Sequence, residues 1–440
     1  MAQYLDNEGA EYLAQKIQDT IQVAYEDNFD ISAADRMNVY CVVERLPEFE
    51  CMNLIALADG NITITIPANI DSTCATSISY SKDKSNWTET LVDNTAQTIT
   101  IPVVTGDTVY LKGIANQWAI SRDVFTAINS TANINVSGNI MSLLYGDDFE
   151  DNLSFPNINL TYIFSCLFRG NTHLIDAGHF GLIAPTLAPN CYAYMFYNCT
   201  SLTVAPKLPA TTLANSCYNN TFYNCISLTV APELPATTLA HQCYRDMFHG
   251  CTSLTTAPAL PAPSAMSFGY TGMFQGCTSL TTAPALPATT LVHTCYTNMF
   301  DGCTSLTSAP ELPATTLTNQ CYSGMFRNCT SLTTAPELPA TTLKTQCYAS
   351  MFQGCSSLTS APELPATTLA DSCYESMFKG CSNLNNITML AENISATNCL
   401  GNWVQNVAAT GTFTKAAAMT TLPSGASGIP AGWTVQDYTE

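Results

Sequence analysis

The sequence predicts a mixed fold: an N-terminal helix, a small antiparallel β-sandwich, then a long solenoid of 26-residue coils. Each coil is expected to be a short strand plus a short helix, with a C-terminal β cap closing the stack. Three observations carry this expectation. The unit CISLTVAPELPATTLAHQCYRDMFHG (225–250) recurs with hardly a gap. Its opening cysteine returns 26 residues apart at Cys199, Cys225, Cys251, Cys277, Cys303, Cys329, Cys355 and Cys381. A second series stands 18 residues after the first, at Cys217, Cys243, Cys295, Cys321, Cys347, Cys373 and Cys399. A fixed period of this length means coils that complete their core only against their neighbours.

Within one coil, Thr and Ser flank a single Leu (Leu254, Leu280, Leu306, Leu332), a short extended pattern with one apolar side. Ala309-Pro310-Glu311-Leu312-Pro313 removes two backbone donors and turns a corner. The spacing of Leu317, Cys321 and Met325, at i, i+4 and i+8, predicts a short helix capped by a threonine. The residue before each opening cysteine is Gly or Asn, from Asn198 to Gly380, which suits a left-handed stop.

The pattern MFxGCxSLTxxPxLPxTTLxxxCYxxMF, from about Cys166 to Val404, resembles the BspA-like leucine-rich repeats. These occur in bacterial surface proteins and in structural genes of gut bacteriophages and prophages. The resemblance implies a right-handed leucine-rich-repeat solenoid with a binding or display role, and it carries over no catalytic residues.

Taken in order, residues 1–50 are read as an N-terminal helical attachment region. Ala10, Ala14, Ile17, Ile21 and Ala24 form one stripe over residues 1–28. The opening YLDNEGAEYLAQKI resembles the N-terminal segments of phage tail and fibre proteins, and the same stripe also suits a helix packed on its own domain. Residues 51–144 alternate with period two between turn clusters, which predicts the sandwich. Trp87 and Trp118 there read as core before sugar platforms. The solenoid is expected over 145–404 and the cap, two short strands, over 405–440. At the junction Gly146-Asp147-Asp148 stands alone, and Asp147, Asp148, Glu150 and Asp151 lack the spacing of a calcium loop. The first coil, 171–198, is two residues longer than the rest between its Leu and its second Cys. Coil 261–270 has Gly269 for Cys and Ala265 for Leu; Met266 and Phe268 are expected to refill that volume with a local bulge.

The net charge is −20 and only 11% of residues are charged, which argues against nucleic acid and anionic membrane as partners. The start shows neither a basic n-region nor an apolar h-region, so no signal peptide and no membrane insertion are expected. Stacked cysteines would lie about 4.8 Å apart, too far for a disulfide, whose Cβ atoms stand about 3.8 Å apart. They are therefore read as buried thiols, and neither a metal nor a cofactor is expected. With no nucleophile–base set and no phosphate or dinucleotide motif in view, the chain is not read as an enzyme.

The leading reading is a bacteriophage virion structural protein, a fibre or appendage assembled in the host cytoplasm. Its N-terminal region would hold other virion proteins and its repeats would meet the bacterial envelope, as glycan or protein. Alternatives are a capsid or tail decoration protein binding only virion subunits, and a bacterial cell-surface adhesin. A homo-oligomer is compatible with this reading and not required by it. The candidate ligand face consists of Thr255, Thr256, Thr281, Thr282, Thr307, Ser308, Thr333, Thr334, Thr359 and Ser360, flanked by Glu311, Glu337 and Glu363. Stacked hydroxyls and carboxylates together suit a polyol. The helix positions Arg245-Asp246, Thr297-Asn298, Ser323-Gly324 and Glu375-Ser376 are read as a permissive surface.

Overall fold

The computed structural model describes residues 50–70 and 73–439. The helix expected over 1–28, and nearly all of the attachment region, lie outside the described residues. From residue 53 the alternating pattern forms β1 (Asn53–Ala56), β2 (Gly60–Ile66), β3 (Ala75–Ser81), β4 (Thr88–Leu91), β5 (Gln97–Val103), β6 (Thr108–Ala115), β7 (Ala127–Ser130) and β8 (Ile134–Asn139). These make two antiparallel sheets, ordered β4-β3-β6-β1-β8 and β5-β2-β7. Because the pleat sends alternate side chains to one face, Ile62, Ile64 and Ile66 of β2 are all buried. They share one core with Leu54, Val109 and Leu111 of the larger sheet.

That larger sheet continues into the repeats. β9 (Leu174–Gly181) pairs in parallel with β8, with Ser137 opposite His179 and Gly138 opposite Phe180. The lengthened first coil is the one that holds this eight-residue strand. The sandwich thus closes one end of the coil stack, and the apolar core runs from one into the other without a break.

Beyond β9 the strand side of each coil shrinks to single parallel bridges. Val230 pairs with Thr256, Thr256 with Thr282, Ser308 with Thr334, and Ser360 with Asn386. The Ala-Pro corner follows at once, and a proline cannot extend a ladder.

The helix expected in each coil does not form. In its place runs a series of tight turns, with a left-handed residue at every fourth position: Asn190, Tyr194 and Asn198 in one coil, Gln320, Gly324 and Asn328 in another. Alternate amides differ in destination. Those of Cys191, Ala193 and Met195 donate to the carbonyl three residues back. Those of Tyr192, Tyr194 and Phe196 leave the coil and donate to the Cys217, Asn219 and Thr221 carbonyls of the next, at 2.9–3.0 Å. The stripe Leu317-Cys321-Met325 has period four, which a helix of 3.6 residues and a run of four-residue turns share over two turns. Ten such runs follow one another, from 162–170 to 398–406.

Magnitudes show what holds the runs together. Each non-glycine residue in the left-handed region costs about 1–2 kcal/mol, and each exported bond contributes about 0.5–1.5 kcal/mol. Those terms roughly offset, so the buried side chains decide, at about 1.5–3 kcal/mol each. Tyrosine rings from Tyr192 to Tyr374 stack at 5.6–6.1 Å between coils. Phenylalanine rings from Phe168 to Phe378 stack at 5.3–5.8 Å. In one coil Thr221 replaces the usual methionine, and its buried hydroxyl donates to the Tyr192 carbonyl at 3.0 Å. Trp403 ends both ring ladders, 6.5 Å from Tyr374 and 6.1 Å from Phe378, with its Nε1 donating to the Gly428 carbonyl.

The tail forms two strands within 405–440. β10 (Asn386–Met389), β11 (Thr412–Lys415) and β12 (Thr434–Asp437) pair in parallel as further rungs, with Ile387, Phe413 and Val435 in register. One further expectation needs correction. Coil 261–270 shows no bulge: Tyr244 donates to the Gly269 carbonyl and Tyr270 to Cys295, both at 3.1 Å, as in its neighbours. Met266 is exposed, and Phe268 takes a left-handed outer position, edge-on between His241 (5.9 Å) and His293 (6.1 Å). Neither refills the core, because the turn places both on its outer side.

Candidate functional site

All thirteen residues of the candidate face are exposed. Thr256, Thr282, Ser308, Thr334 and Ser360 belong to the parallel bridges themselves, and Thr255, Thr281, Thr307, Thr333 and Thr359 precede them by one residue. Glu311, Glu337 and Glu363 occupy one exposed position in three successive coils. Like charges so placed repel unless water or cations intervene.

The hydroxyls are less free than residue type suggests. Thr255 Oγ1 donates to the Thr229 carbonyl at 3.3 Å and Thr333 Oγ1 to Thr307 at 3.2 Å, each one coil back. Thr278 and Thr304 do the same toward Thr252 and Thr278. A hydroxyl that spends its proton this way keeps its lone pairs. At Thr255 and Thr333 the row is therefore richer in acceptors than in donors, and suits a ligand that donates.

The cysteines follow a pattern that their apolar character alone does not reveal. Each opening thiol donates to a phenylalanine carbonyl of the preceding coil: Cys225 to Phe196, Cys251 to Phe222 and Cys329 to Phe300, all at 3.1 Å. The Phe196 carbonyl also takes the amide of Cys199, so both its lone pairs are used. Every described cysteine is a free thiol. Burial pushes the Cys251 and Cys381 thiols up to about 12 and that of Cys321 to about 11, which keeps them neutral and unreactive at physiological pH.

Elsewhere the sequence candidates separate. Trp118 is core, its Nε1 donating to the Leu143 carbonyl at 2.8 Å. Trp87 is half-buried; Lys112 Nζ sits 4.3 Å over its ring and also pairs with Asp147. Among the described residues no group of three His, Cys, Asp or Glu is placed to hold a metal, and no helix is long and apolar enough to cross a membrane. Arg245 and Asp246, read as permissive surface, line a cleft beside the sandwich loop 121–123. Sequence reading missed that cleft; the one available signal was that larger side chains occupy these turn positions in the coils nearest the sandwich.

Comparison with known proteins bears on the repeats alone. Residues 182–307 and 296–402 match the BspA type leucine rich repeat region, in six copies. No curated protein and no solved structure matches the chain. With half its length in that match, and with its register, ladders and turns repeating through it, the chain belongs to the BspA-type leucine-rich repeat family.

Proposed function

We propose that this is a non-enzymatic attachment protein, a fibre or appendage of a bacteriophage virion, whose right-handed solenoid presents a repeated surface to the bacterial envelope. The observation that carries the reading is the exposed row of Thr and Ser at the bridges, with three glutamates in register beside it. A surface that repeats coil after coil suits a ligand that also repeats, as envelope polysaccharides do. The virion assignment draws on the thiols. A chain whose described cysteines are all free thiols, and all buried except the half-buried Cys74, suits assembly in a reducing cytoplasm better than export through an oxidising one, as a bacterial adhesin would require.

A decoration protein that binds only virion subunits is the second reading. It is favoured by β12, a fully exposed strand at the end of its sheet, since a free edge is a template for pairing with another chain. One experiment separates the two: a triple variant T307A/T333A/E337K is tested for binding to whole bacterial cells. The attachment reading expects binding to fall at least about tenfold with the melting temperature within about 2 °C of wild type. Unchanged cell binding would remove the threonine row from attachment, and recovery of the wild-type protein from particles without any cell binding would leave the decoration reading.

A further inference from the structure

The loop of residues 121–123 leaves the sandwich beside the turn side of the first full coils, and a cleft of about 660 Å³ lies between them. That volume falls within the range of small-molecule sites, about 300–1,000 Å³. Arg122 and Asp123 form its sandwich wall; Tyr194, Asn220, Arg245 and Asp246 line it from the coils. Tyr194, Asn220 and Asp246 occupy the same left-handed position in three successive coils, with φ of 59°, 55° and 52°. Their side chains are therefore carried in a row, one coil apart. Gly272 ends the row, because a Cβ there would collide with the Asp246 carboxylate.

The row is held in place before any ligand arrives. The Arg169 guanidinium lies 5.8 Å from the Tyr194 ring centre, and Tyr197 packs 5.7 Å away. Arg245 Nε donates to Asp246 Oδ2 at 3.2 Å, and its guanidinium sits 5.6 Å over Phe268. Asn220 Nδ2 donates to Asn219 Oδ1, and both residues are only 9% exposed. This leaves Asn219 Nδ2, Asn220 Oδ1, the Tyr194 hydroxyl and the terminal nitrogens of Arg245 unspent among the described residues. Later coils differ: Thr271 and Thr297, at the position of Arg245, turn their hydroxyls onto the Thr294 and Gln320 carbonyls at 2.5 and 2.7 Å.

Two arginines face two aspartates, so the cleft has no net charge with which to select a polyion. What it offers is donors and acceptors interleaved at the coil spacing, about 4.8 Å, with a tyrosine ring at one end. We propose that this cleft binds a short stretch of neutral oligosaccharide laid along the stack across Tyr194, Asn220 and Asp246. Sugar hydroxyls both donate and accept, and the C–H face of a sugar ring packs on an aromatic ring. The proposal shares with the attachment reading the premise that the repeats bind a ligand, and it puts the contact on the turn side, away from the threonine row.

The test is affinity electrophoresis of the full chain in gels containing dextran, mannan or soluble β-glucan, with heparin and polyglutamate as charged controls. At least one neutral polysaccharide should retard the protein. Tyr194→Ala and Asp246→Asn should each weaken that retardation about tenfold: the first removes a ring face and a hydroxyl, the second a hydrogen bond to a charged group. Arg122→Ala, on the loop and outside the coils, should weaken it too, which guards against misfolded coil variants. The threonine-row triple variant should be retarded like wild type. Retardation by the charged polymers only, by none of the polymers, or undiminished in the three cleft variants would overturn the proposal. Loss in the threonine-row variant alone would also overturn it, and would leave the attachment reading standing.

Discussion

The two sides of each coil face the same neighbours and are joined to them by different bonds. On the turn side every second amide crosses to the next coil, and Cys, Tyr, Met and Phe are buried in continuous ladders. On the threonine side the hydrogen-bonded link is a single bridge, supplemented by hydroxyls folded back one coil and by the buried ladder of Leu254, Leu280, Leu306 and Leu332. The side a leucine-rich repeat would give to helices is here the main seam, because most of the backbone bonds between coils cross it.

The largest test of that contrast removes one rung from each side. Phe326→Ala should cost about 3–5 kcal/mol by leaving a cavity in a fully packed ladder, whereas Thr334→Ala should stay within about 0.5 kcal/mol. Denaturant midpoints of the two variants measure the difference; equal losses would mean that both sides carry the stack alike.

Alkali sharpens the same contrast. Burial raises the folded-state pKa of the turn-side thiols, Cys251 and Cys381 to about 12 among them. An unfolded thiol ionises near 8.5. The raised value means that the folded state holds protons the unfolded state releases, so stability is full below about pH 8.5 and is lost as pH rises toward 12. Each such thiol removes about 1.4 kcal/mol per pH unit across that window. Melting temperatures should therefore be flat from pH 7 to 8.5 and fall steeply from 9 to 11. Replacing Cys251 and Cys381 with Ala should flatten the fall by two thiols' share, and the threonine-row variant should leave it unchanged.

Much of this was legible in the residues. The 26-residue period announced the stacking, and the Gly or Asn before each opening cysteine announced a left-handed residue, observed at φ 59° to 80° from Asn198 to Gly380. The threonine row was legible as one polar side, though alternation gives only half of it: a period of two about Leu306 exposes Thr307 and would bury Ser308, and both are exposed. Three things were not legible. Period four does not distinguish a helix from a run of turns, and only the destination of the amides does. The clue was there in part, since Asn220, Asp246 and Asn298 are types that tolerate the left-handed region, yet Tyr194, Phe268 and Ser350 occupy the same kind of position and hide it. The parallel pairing of β8 with β9 joins segments whose register depends on bulges at Ile134–Ser137. The cleft depends on where a sandwich loop meets the coils, which no local pattern encodes.

The turn architecture is tested most directly at Gly324, which stands at φ 62° with Asn298 of the preceding coil against the position a Cβ would take. In a helix, Gly→Ala stabilises by up to about 1 kcal/mol. In the turn run, Gly324→Ala forces a side chain into the left-handed region and against Asn298, so it should destabilise by at least about 1–2 kcal/mol. Part of that loss should return in the double variant Asn298→Ala/Gly324→Ala. Equilibrium unfolding of these variants reads the sign. A destabilised Gly324→Ala supports the ladder of turns, and a stabilised one would restore the helix and contradict the account of how these coils are joined.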